Sequence, residues 1–480
     1  MWHTPKTAFI FVCCAILKLM SATRITLTLF LHFIICSSVF SQLRQPVYNF
    51  QNDDTVLRKT YYEQALQNKK TLISSLGTTY KKDYQEIYES RFETVAELLQ
   101  STRPVTEKEA NDYLQSVLKK ITDVNPELKS NEITLIFSRD WWPNAYSIGE
   151  GTLVVNAGLM IYLNNEAELA FVLCHELAHL FLDHGNSAIK KHVETVNSEA
   201  FKKEIKRLQK EEYRVNQQLE ALLKPILMSS RSHRRENEAE ADRYAFRFMK
   251  KTGYDCTAIN SCLTMLGHID DTSSFKPLDV QQAFNFTEYP FKKRWIQKES
   301  VLFSELKDDD SPLTKREKDS MQTHPDCDKR IVLLKDSIAQ LTMPGQSFLI
   351  SEEIFNRLKK DFYVEIAEQE FKNKNLSRNL YYSLLMLQRE EYAPFALFSI
   401  ARALNTMYEG QKDHRLGAMT EGETRGYKQV YNLLLRMISR LKLDEIAALS
   451  YQFCKQYKEQ MSRYIGFEEE YNKAKNRIQQ

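Results

Sequence analysis

Hydrophobic residues recur at three- and four-residue intervals through most of this 480-residue chain, which is the spacing of one face of an α-helix. The pattern predicts helices across residues 54–121 and five more near the C-terminus, at 353–371, 377–389, 393–407, 423–441 and 443–458. Between these regions the period becomes that of strands. Residues 133–137 form one predicted strand, and 144–148 and 152–156 flank a Gly-Glu-Gly turn as in a hairpin. We therefore predict an α+β fold that is mainly helical, with one small β-sheet.

One predicted helix is apolar on nearly every side. Asn165 is suited to cap it, and residues 169–182 continue as an almost unbroken apolar run. A helix with this pattern is buried. The strongly polar side chains in the run are His175, Glu176 and His179, and burying them without partners would be costly. These three residues are therefore candidates for a functional site.

A long polar segment interrupts the central part of the chain. Residues 187–223 are rich in Lys, Glu and Gln, and they predict a charged helix that is exposed to solvent rather than paired in a coiled coil. We expect one domain over residues 42–344, with this helix inserted between two motif helices. An all-helical domain is expected over residues 345–480. Its helices resemble tetratricopeptide-type repeats in length, although no clear repeat period appears.

Residues 1–41 have the features of a signal peptide or export segment. Arg24 precedes the apolar stretch 26–35, and Ser41 ends an acceptable small-residue cleavage site. Neither apolar run in this segment reaches the roughly 20 residues that span a bilayer. We therefore expect an exported protein of the periplasm or cell envelope, with a mature chain that begins at Gln42. The alternative is an N-terminal membrane anchor.

Charge and cysteine content argue against two kinds of site. The 66 Lys and Arg residues and 63 Asp and Glu residues give a net charge of +3, which predicts no nucleic-acid partner. The cysteines after residue 41 are scattered, and no two of them form a Cys-x-x-Cys pair. A metal site in this chain is therefore expected to use histidine and carboxylate ligands.

The residues His175-Glu-Leu-Ala-His179 form an HExxH motif. On a helix, residues four apart lie one turn apart on the same face, so both imidazoles can reach one metal ion. Zinc accepts imidazole nitrogen, and catalytic zinc sites use three protein ligands and keep one position open. Glu176 is close enough to take a proton from water that the metal activates. The motif predicts one Zn²⁺ per chain, with Glu176 as the catalytic base.

The third metal ligand must come from elsewhere in the chain. Glu238 and Asp242 lie four residues apart on a predicted helix, so one could bind the metal while the other accepts the second N–H of a metal-bound histidine. Glu240 between them is expected at the surface. On spacing alone, three histidines compete with Glu238 for the third position, namely His184, His192 and His233. His184 is expected instead to be a cation at the end of the motif helix.

The HExxH motif, followed some sixty residues later by Glu238-x-x-Ala-Asp242, resembles a family of gluzincin metalloendopeptidases. This family includes the CAAX prenyl endopeptidases, the HtpX membrane proteases, the Oma-type proteases and the periplasmic beta-barrel-assembly-enhancing protease. Later motifs around His324 and Arg330 fit the same pattern, so the resemblance covers roughly residues 144–331. It implies a zincin-like metallopeptidase domain in which Glu238 is the third zinc ligand and Asp242 supports the site.

The resemblance implies two further parts of the site. The segment Asn144, Ala145 and Tyr146 corresponds to an edge strand on which the substrate binds in extended form. His324 and Arg330 correspond to a histidine and an arginine over the cleft, which are implied to stabilise the oxyanion. In periplasmic relatives the histidine can instead cap the zinc in a latent form.

The sequence thus predicts a zinc-dependent endopeptidase. No apolar run after residue 40 could span a membrane, so the chain looks like the periplasmic quality-control type. The implied substrates are misfolded or envelope proteins, and the C-terminal helices would bind client proteins or outer-membrane assembly machinery. One alternative is a latent metallopeptidase-fold chaperone or binding protein. Another is a metal-stabilised structural module, but the presence of Glu176 argues against it because a structural site needs no base.

Overall fold

The computed structural model describes residues 54–128, 133–148, 151–208, 235–267, 278–297, 327–341, 344–424 and 427–479. Several predictions fall outside the described residues, namely those on residues 1–41, 209–223, His233 and His324. Among the helices that are described, none is both long and apolar enough to cross a bilayer.

Three helices open the described chain: α1 (Thr55–Ser74), α2 (Lys81–Gln100) and α3 (Lys108–Asp123). The Asp54 carboxylate caps α1 by accepting the Leu57 N–H at 2.9 Å. A short strand, β1 (Pro104–Val105), lies between α2 and α3. The hydrophobic pattern does not predict β1, because two residues are too few to show a period.

The four-stranded sheet has the order β1, β2, β4, β3, in which the remaining strands are β2 (Thr134–Ser138), β3 (Ala145–Ser147) and β4 (Thr152–Asn156). Strands β2 and β4 pair in parallel, with Thr134 opposite Thr152. Strand β3 pairs antiparallel with β4, with Ala145 opposite Val155, which confirms the predicted hairpin. Strand β3 therefore lies at one edge of the sheet.

Side chains of the central strands alternate between two apolar layers. Leu135 and Phe137 belong to the main core together with α3, whereas Ile136 and Val154 pack into a second cluster with residues of α1 and α2. Successive strand residues point to opposite faces of a sheet. Both faces of this sheet are therefore covered, and α1 and α2 form the outer layer.

After β4 the chain forms α4 (Ala157–Met160) and the HExxH helix α5 (Glu166–Phe181). Gly158 lies so close to Trp141 that a Cβ there would be 1.9 Å from the Trp141 carbonyl oxygen, so a larger residue cannot replace it without a shift. The Asn165 side chain caps α5 by accepting the Glu168 N–H at 3.0 Å. Every residue from Glu166 to Ala178 is buried, which confirms the predicted buried helix.

The next two helices are α6 (His184–Asn197) and α7 (Glu199–Leu208). The prediction of one continuous helix from residue 187 is therefore wrong in its described part. Ser198 has an extended backbone, with ψ of 143°, and its hydroxyl accepts the Phe201 N–H at 3.3 Å. Serine competes for backbone hydrogen bonds in this way, and here it ends one helix and starts the next.

Helix α8 covers residues 235–249 and carries Glu238 and Asp242. Further along the described chain lie α9 (Ala258–Gly267), α10 (Val280–Ala283) and α11 (Cys327–Ala339). Helix α9 packs against both α5 and α11. The second motif helix and α11 are therefore assembled around α5.

Six helices follow residue 351: α12 (Glu352–Lys372), α13 (Leu376–Gln388), α14 (Ala393–Lys412), α15 (Gln429–Arg440), α16 (Leu443–Tyr457) and α17 (Phe467–Ile478). The first five match predicted helices, and α17 was not predicted. The mainly helical α+β fold with a small sheet is confirmed. One apolar core runs from Val105 to Ala474 and includes residues of both predicted domains. The domain boundary at residue 344 and the repeat character of these helices stay predictions.

Glu166, at the start of α5, connects the motif helix to two other parts of the fold. It is fully buried, and its carboxylate accepts the hydroxyls of Tyr113 at 2.8 Å and Tyr254 at 2.6 Å. It also accepts three successive backbone N–H groups, at 2.8, 2.8 and 3.2 Å, from Leu349, Ile350 and Ser351. One carboxylate thus fixes α3, α5 and the segment that leads into α12.

Replacing Glu166 by Ala is expected to lower the free energy of unfolding by about 3 kcal/mol or more, because it leaves two buried hydroxyls and three partly buried N–H groups without an acceptor. Urea unfolding followed by circular dichroism measures the change. Glu166→Gln retains one acceptor oxygen, so its free energy of unfolding should lie between those of the parent protein and Glu166→Ala. The control is Glu86→Ala, at an exposed position on α2. Equal unfolding midpoints for the Glu166 and Glu86 variants would show that this carboxylate does not support the fold.

Candidate active site

Three side chains converge where α5 passes α8. His175 and His179 lie one turn apart on α5, and their Nε2 atoms are 3.1 Å apart. Glu238 reaches them from α8, with Oε2 3.4 Å from His175 Nε2 and Oε1 3.4 Å from His179 Nε2. Across the described ranges, this is the one group of His, Cys, Asp or Glu side chains whose ligand atoms lie close enough to hold a metal ion. The structure thus brings together the three residues predicted as ligands.

The spacing of these three side chains fits a zinc ion. Ligand bonds of about 2.0–2.2 Å in a tetrahedral site place neighbouring ligand atoms about 3.3–3.5 Å apart, close to the separations of 3.1 and 3.4 Å. Two imidazole lone pairs and a carboxylate that face one another at this distance also repel unless a proton or a cation lies between them. Three protein ligands leave one tetrahedral position open, as a catalytic zinc site requires.

Asp242 and Arg330 support the ligands from behind. Asp242 Oδ1 lies 2.9 Å from His175 Nδ1. Because an ionised carboxylate can only accept, Nδ1 carries the proton, which leaves the Nε2 lone pair of His175 directed at the other two ligands. Arg330 on α11 donates from Nε and Nη2 to Asp242 at 2.6 and 2.7 Å, and its Nη1 lies 3.2 Å from Glu238. Arg330 therefore holds the carboxylates of Asp242 and Glu238, and its implied contact with the oxyanion stays a prediction.

The buried charges of this cluster stabilise one another. Burial disfavours a charged His175, but hydrogen bonds to Asp242 and Glu238 outweigh burial and raise the pKa of His175 to about 9. Burial also disfavours the Asp242 carboxylate, but hydrogen bonds from Arg330 and His175 lower the pKa of Asp242 to about 2. Burial opposes the charge on Arg330 as well, yet Asp242 raises the pKa of Arg330. A metal ion that displaces the second proton of His175 would leave two carboxylates facing one guanidinium, so the cluster would still favour a bound cation.

His184 supports the second histidine ligand, and its expected role as a helix-end cation is wrong. Helix α5 ends at Phe181, and His184 begins α6 with its Nδ1 atom 2.9 Å from His179 Nδ1. Burial and the neighbouring His179 lower the pKa of His184. His184 is therefore neutral, and it can accept the Nδ1 proton of His179 while its own Nε2–H faces Glu240 at 3.4 Å. No sequence signal marks this contact, because a turn between two helices creates it.

A cleft of about 310 Å³ opens beside the ligands. Its wall contains Glu176, His179 and Glu238 and, from the edge strand β3, Ala145, Tyr146 and Ser147. Asn144, just before β3, lines a smaller adjoining pocket with His175 and Glu176. The predicted base and the predicted edge strand therefore lie on the same cleft. His192, one of the competing ligand candidates, is exposed on α6.

Residues 108–338 match the family model described as peptidase family M48. The chain is also similar to the putative beta-barrel assembly-enhancing protease of Vibrio cholerae serotype O1 (strain ATCC 39315 / El Tor Inaba N16961), with 24% identity over 195 residues. That match covers 40% of this chain and 39% of the relative, so the chain spans about two fifths of the curated relative that it matches. The predicted family resemblance is confirmed, and both findings support a metallopeptidase.

Removing the Asp242 carboxylate is expected to weaken zinc binding without abolishing it. Asp242→Asn leaves all three ligands in place but no longer fixes the His175 tautomer, and such changes typically cost about 10- to 100-fold in metal affinity. Competition with a fluorescent chelator measures the zinc dissociation constant. Asp336→Asn, at an exposed position on α11, is the control. Unchanged affinity in Asp242→Asn would refute the orienting role of the carboxylate.

His184→Ala is likewise expected to weaken zinc binding, by about tenfold or more, because His179 Nδ1 loses the ring that fixes its proton. The same chelator assay applies. His192→Ala offers a matched control, since it removes an exposed histidine from the same helix. If both variants bind zinc as tightly as the parent protein, His184 does not orient His179.

Proposed function

We propose that this chain, whose residues 108–338 match peptidase family M48, is a zinc-dependent endopeptidase with one zinc ion per chain. In this proposal His175, His179 and Glu238 hold the metal and Glu176 is the general base. The observation that carries it is the group of three converging ligand side chains, two of which line a cleft that also contains Glu176. A metal site built for structure alone would be closed by a fourth protein ligand and would need no base.

The chemistry is the hydrolysis of a peptide bond. Zinc at this position supplies Lewis acidity, which polarises the scissile carbonyl and makes water a better nucleophile at neutral pH. Glu176 takes a proton from the attacking water and returns a proton to the departing amine, so the carboxylate is restored at the end of the reaction. Glu176 is 4% exposed, which keeps bulk water from competing for that proton.

The open edge of β3 accounts for how a peptide would lie in the cleft. Strand β3 pairs with β4 on one side, and Ala145 and Tyr146 line the cleft. A peptide added as a further strand would be held by backbone hydrogen bonds, which do not depend on its side chains. This form of binding suits extended segments of unfolded proteins, because a folded protein does not present a free strand.

We further propose misfolded or envelope proteins as substrates, after export and cleavage of the chain behind Ser41. The support is the similarity to the protease from Vibrio cholerae, whose name refers to beta-barrel assembly, and the signal-like features of residues 1–41. Helices α12–α17 would bind client proteins or outer-membrane assembly machinery. Their packing against the peptidase core at α4 would hold a bound client near the cleft.

Glu176→Gln is expected to lower the rate of casein cleavage by about 10²- to 10⁴-fold, since the amide cannot accept the proton of water. The chain from Gln42 is purified with zinc, and cleavage and bound zinc are both measured. Glu194→Gln, at an exposed position on α6, is the control for the loss of one charge.

Equal zinc in the Glu176 variant and its parent, with activity in the parent alone, would identify Glu176 as the base. A parent protein with full zinc and no cleavage would favour the latent binding protein, and His324→Ala would then be tested. Absence of zinc from both proteins would overturn the metal site.

A further inference from the structure

Arg91 reaches the cleft from a helix that carries none of the zinc ligands. It lies on α2, which precedes the segment matched by the peptidase family, and its side chain lines the cleft together with Glu176 and His179. It is also the one Lys or Arg among the residues that line this cleft in the described chain. A cation in this position faces whatever occupies the cleft.

The guanidinium of Arg91 has no partner of its own in the described part of the chain. Its Nη1 atom is shielded from solvent and makes no hydrogen bond. By contrast, two fully buried arginines are paired with carboxylates: Arg139 with Glu365, and Arg378 with Glu421. A buried donor without an acceptor costs free energy. The Arg91 side chain is only partly buried and lines the cleft, so a turn of its guanidinium toward a ligand there would give it an acceptor.

The position of Arg91 is fixed by packing rather than by a hydrogen bond. One turn earlier on the same face of α2, the Tyr88 hydroxyl is 3.2 Å from the Asn186 side chain of α6. Tyr88 also packs with Ile189 and Val193. The guanidinium lies over Gly185, where Nη2 is 3.5 Å from the place that a Cβ would occupy. Helices α2 and α6 therefore hold the guanidinium in the cleft wall.

The cleft contains a second polar atom of this kind. Ser147 Oγ, on the edge strand β3, is also shielded from solvent without a hydrogen-bond partner in the described residues. Asp183 lines the cleft as well, but its carboxylate accepts the Asn186 side-chain amide at 2.6 Å. An anionic ligand in the cleft would thus meet one cation, Arg91, in a wall that otherwise carries carboxylates.

We propose that Arg91 binds a carboxylate of the peptide substrate and makes the cleft selective for it. This inference rests on the proposed peptidase function. The planar guanidinium fork matches a carboxylate with two parallel hydrogen bonds, whereas a neutral side chain offers a weaker acceptor. The carboxylate comes either from an Asp or Glu side chain near the scissile bond or from the free C-terminus of the substrate. Arg91 is therefore a specificity-determining residue of the site.

Peptide binding tests this proposal separately from cleavage. The zinc-loaded chain carrying Glu176→Gln is titrated with fluorescent peptides that differ by Glu or Gln at one position and by a free or amidated C-terminus. Fluorescence anisotropy gives each dissociation constant. We expect one position, or the free C-terminus, to tighten binding by about 10- to 100-fold through its carboxylate. Tighter binding of the Glu peptide would identify a side-chain carboxylate as the ligand, and tighter binding of the peptide with a free C-terminus would identify the terminal carboxylate.

Adding Arg91→Gln should abolish this gain while leaving neutral peptides bound as before, and Arg91→Lys should keep part of it. Lys82→Gln removes an exposed cation from the same helix and should change nothing. Zinc content and the unfolding midpoint establish that each variant is folded. The proposal would be overturned if Arg91→Gln showed the same carboxylate gain. It would also be overturned if the chain with Arg91 intact showed no gain, or if no peptide bound to it. If the chain that retains Glu176 does not cleave casein while its Glu176→Gln form shows the carboxylate gain, the result would count against the peptidase function alone.

Discussion

The ion pair between Asp242 and Arg330 is the interaction on which the candidate site depends. Asp242 is 1% exposed and Arg330 is 3% exposed, so each would be costly to bury without the other. Their hydrogen bonds join α8 to α11, and the second oxygen of Asp242 fixes the proton of His175 on α5. One buried carboxylate thereby sets the relative positions of three helices that are far apart in the chain. Because these helices cannot shift independently, the ligand atoms are held at separations close to those of a tetrahedral zinc site.

The motif helix is held at both ends by polar contacts inside an apolar core. At its start, the Glu166 carboxylate accepts hydrogen bonds from two tyrosine hydroxyls and three backbone N–H groups. At its end, the turn into α6 places His184 against His179. Apolar packing around α5 is not directional, so it cannot by itself fix the rotation of the helix about its axis. The directional contacts at the two ends determine which side of α5 faces α8.

Sequence reasoning predicted the parts of the site that depend on local geometry. The pairing of His175 with His179, and of Glu238 with Asp242, follows from the fixed rise and turn of an α-helix, and the hairpin follows from the two-residue period of strands. The break at Ser198 was missed because no Gly or Pro lies near it to mark the end of a helix. The roles of His184 and Arg91 were missed for another reason. Only the tertiary fold brings His184 against His179 and Arg91 to the cleft. His324 lies outside the described residues, and its role stays a prediction.

The placement of Arg91 follows from how the sheet is covered. Ile136 and Val154 point away from the main core, and burying them requires an outer layer, which α1 and α2 provide through residues such as Val95 and Leu99. Helix α2, in this layer, also packs against α6. The helix that completes the apolar layer thus also supplies one wall of the cleft. In the proposed function, zinc chemistry and substrate selection would then be carried by different layers, so a change in α2 would alter selection without disturbing the ligands.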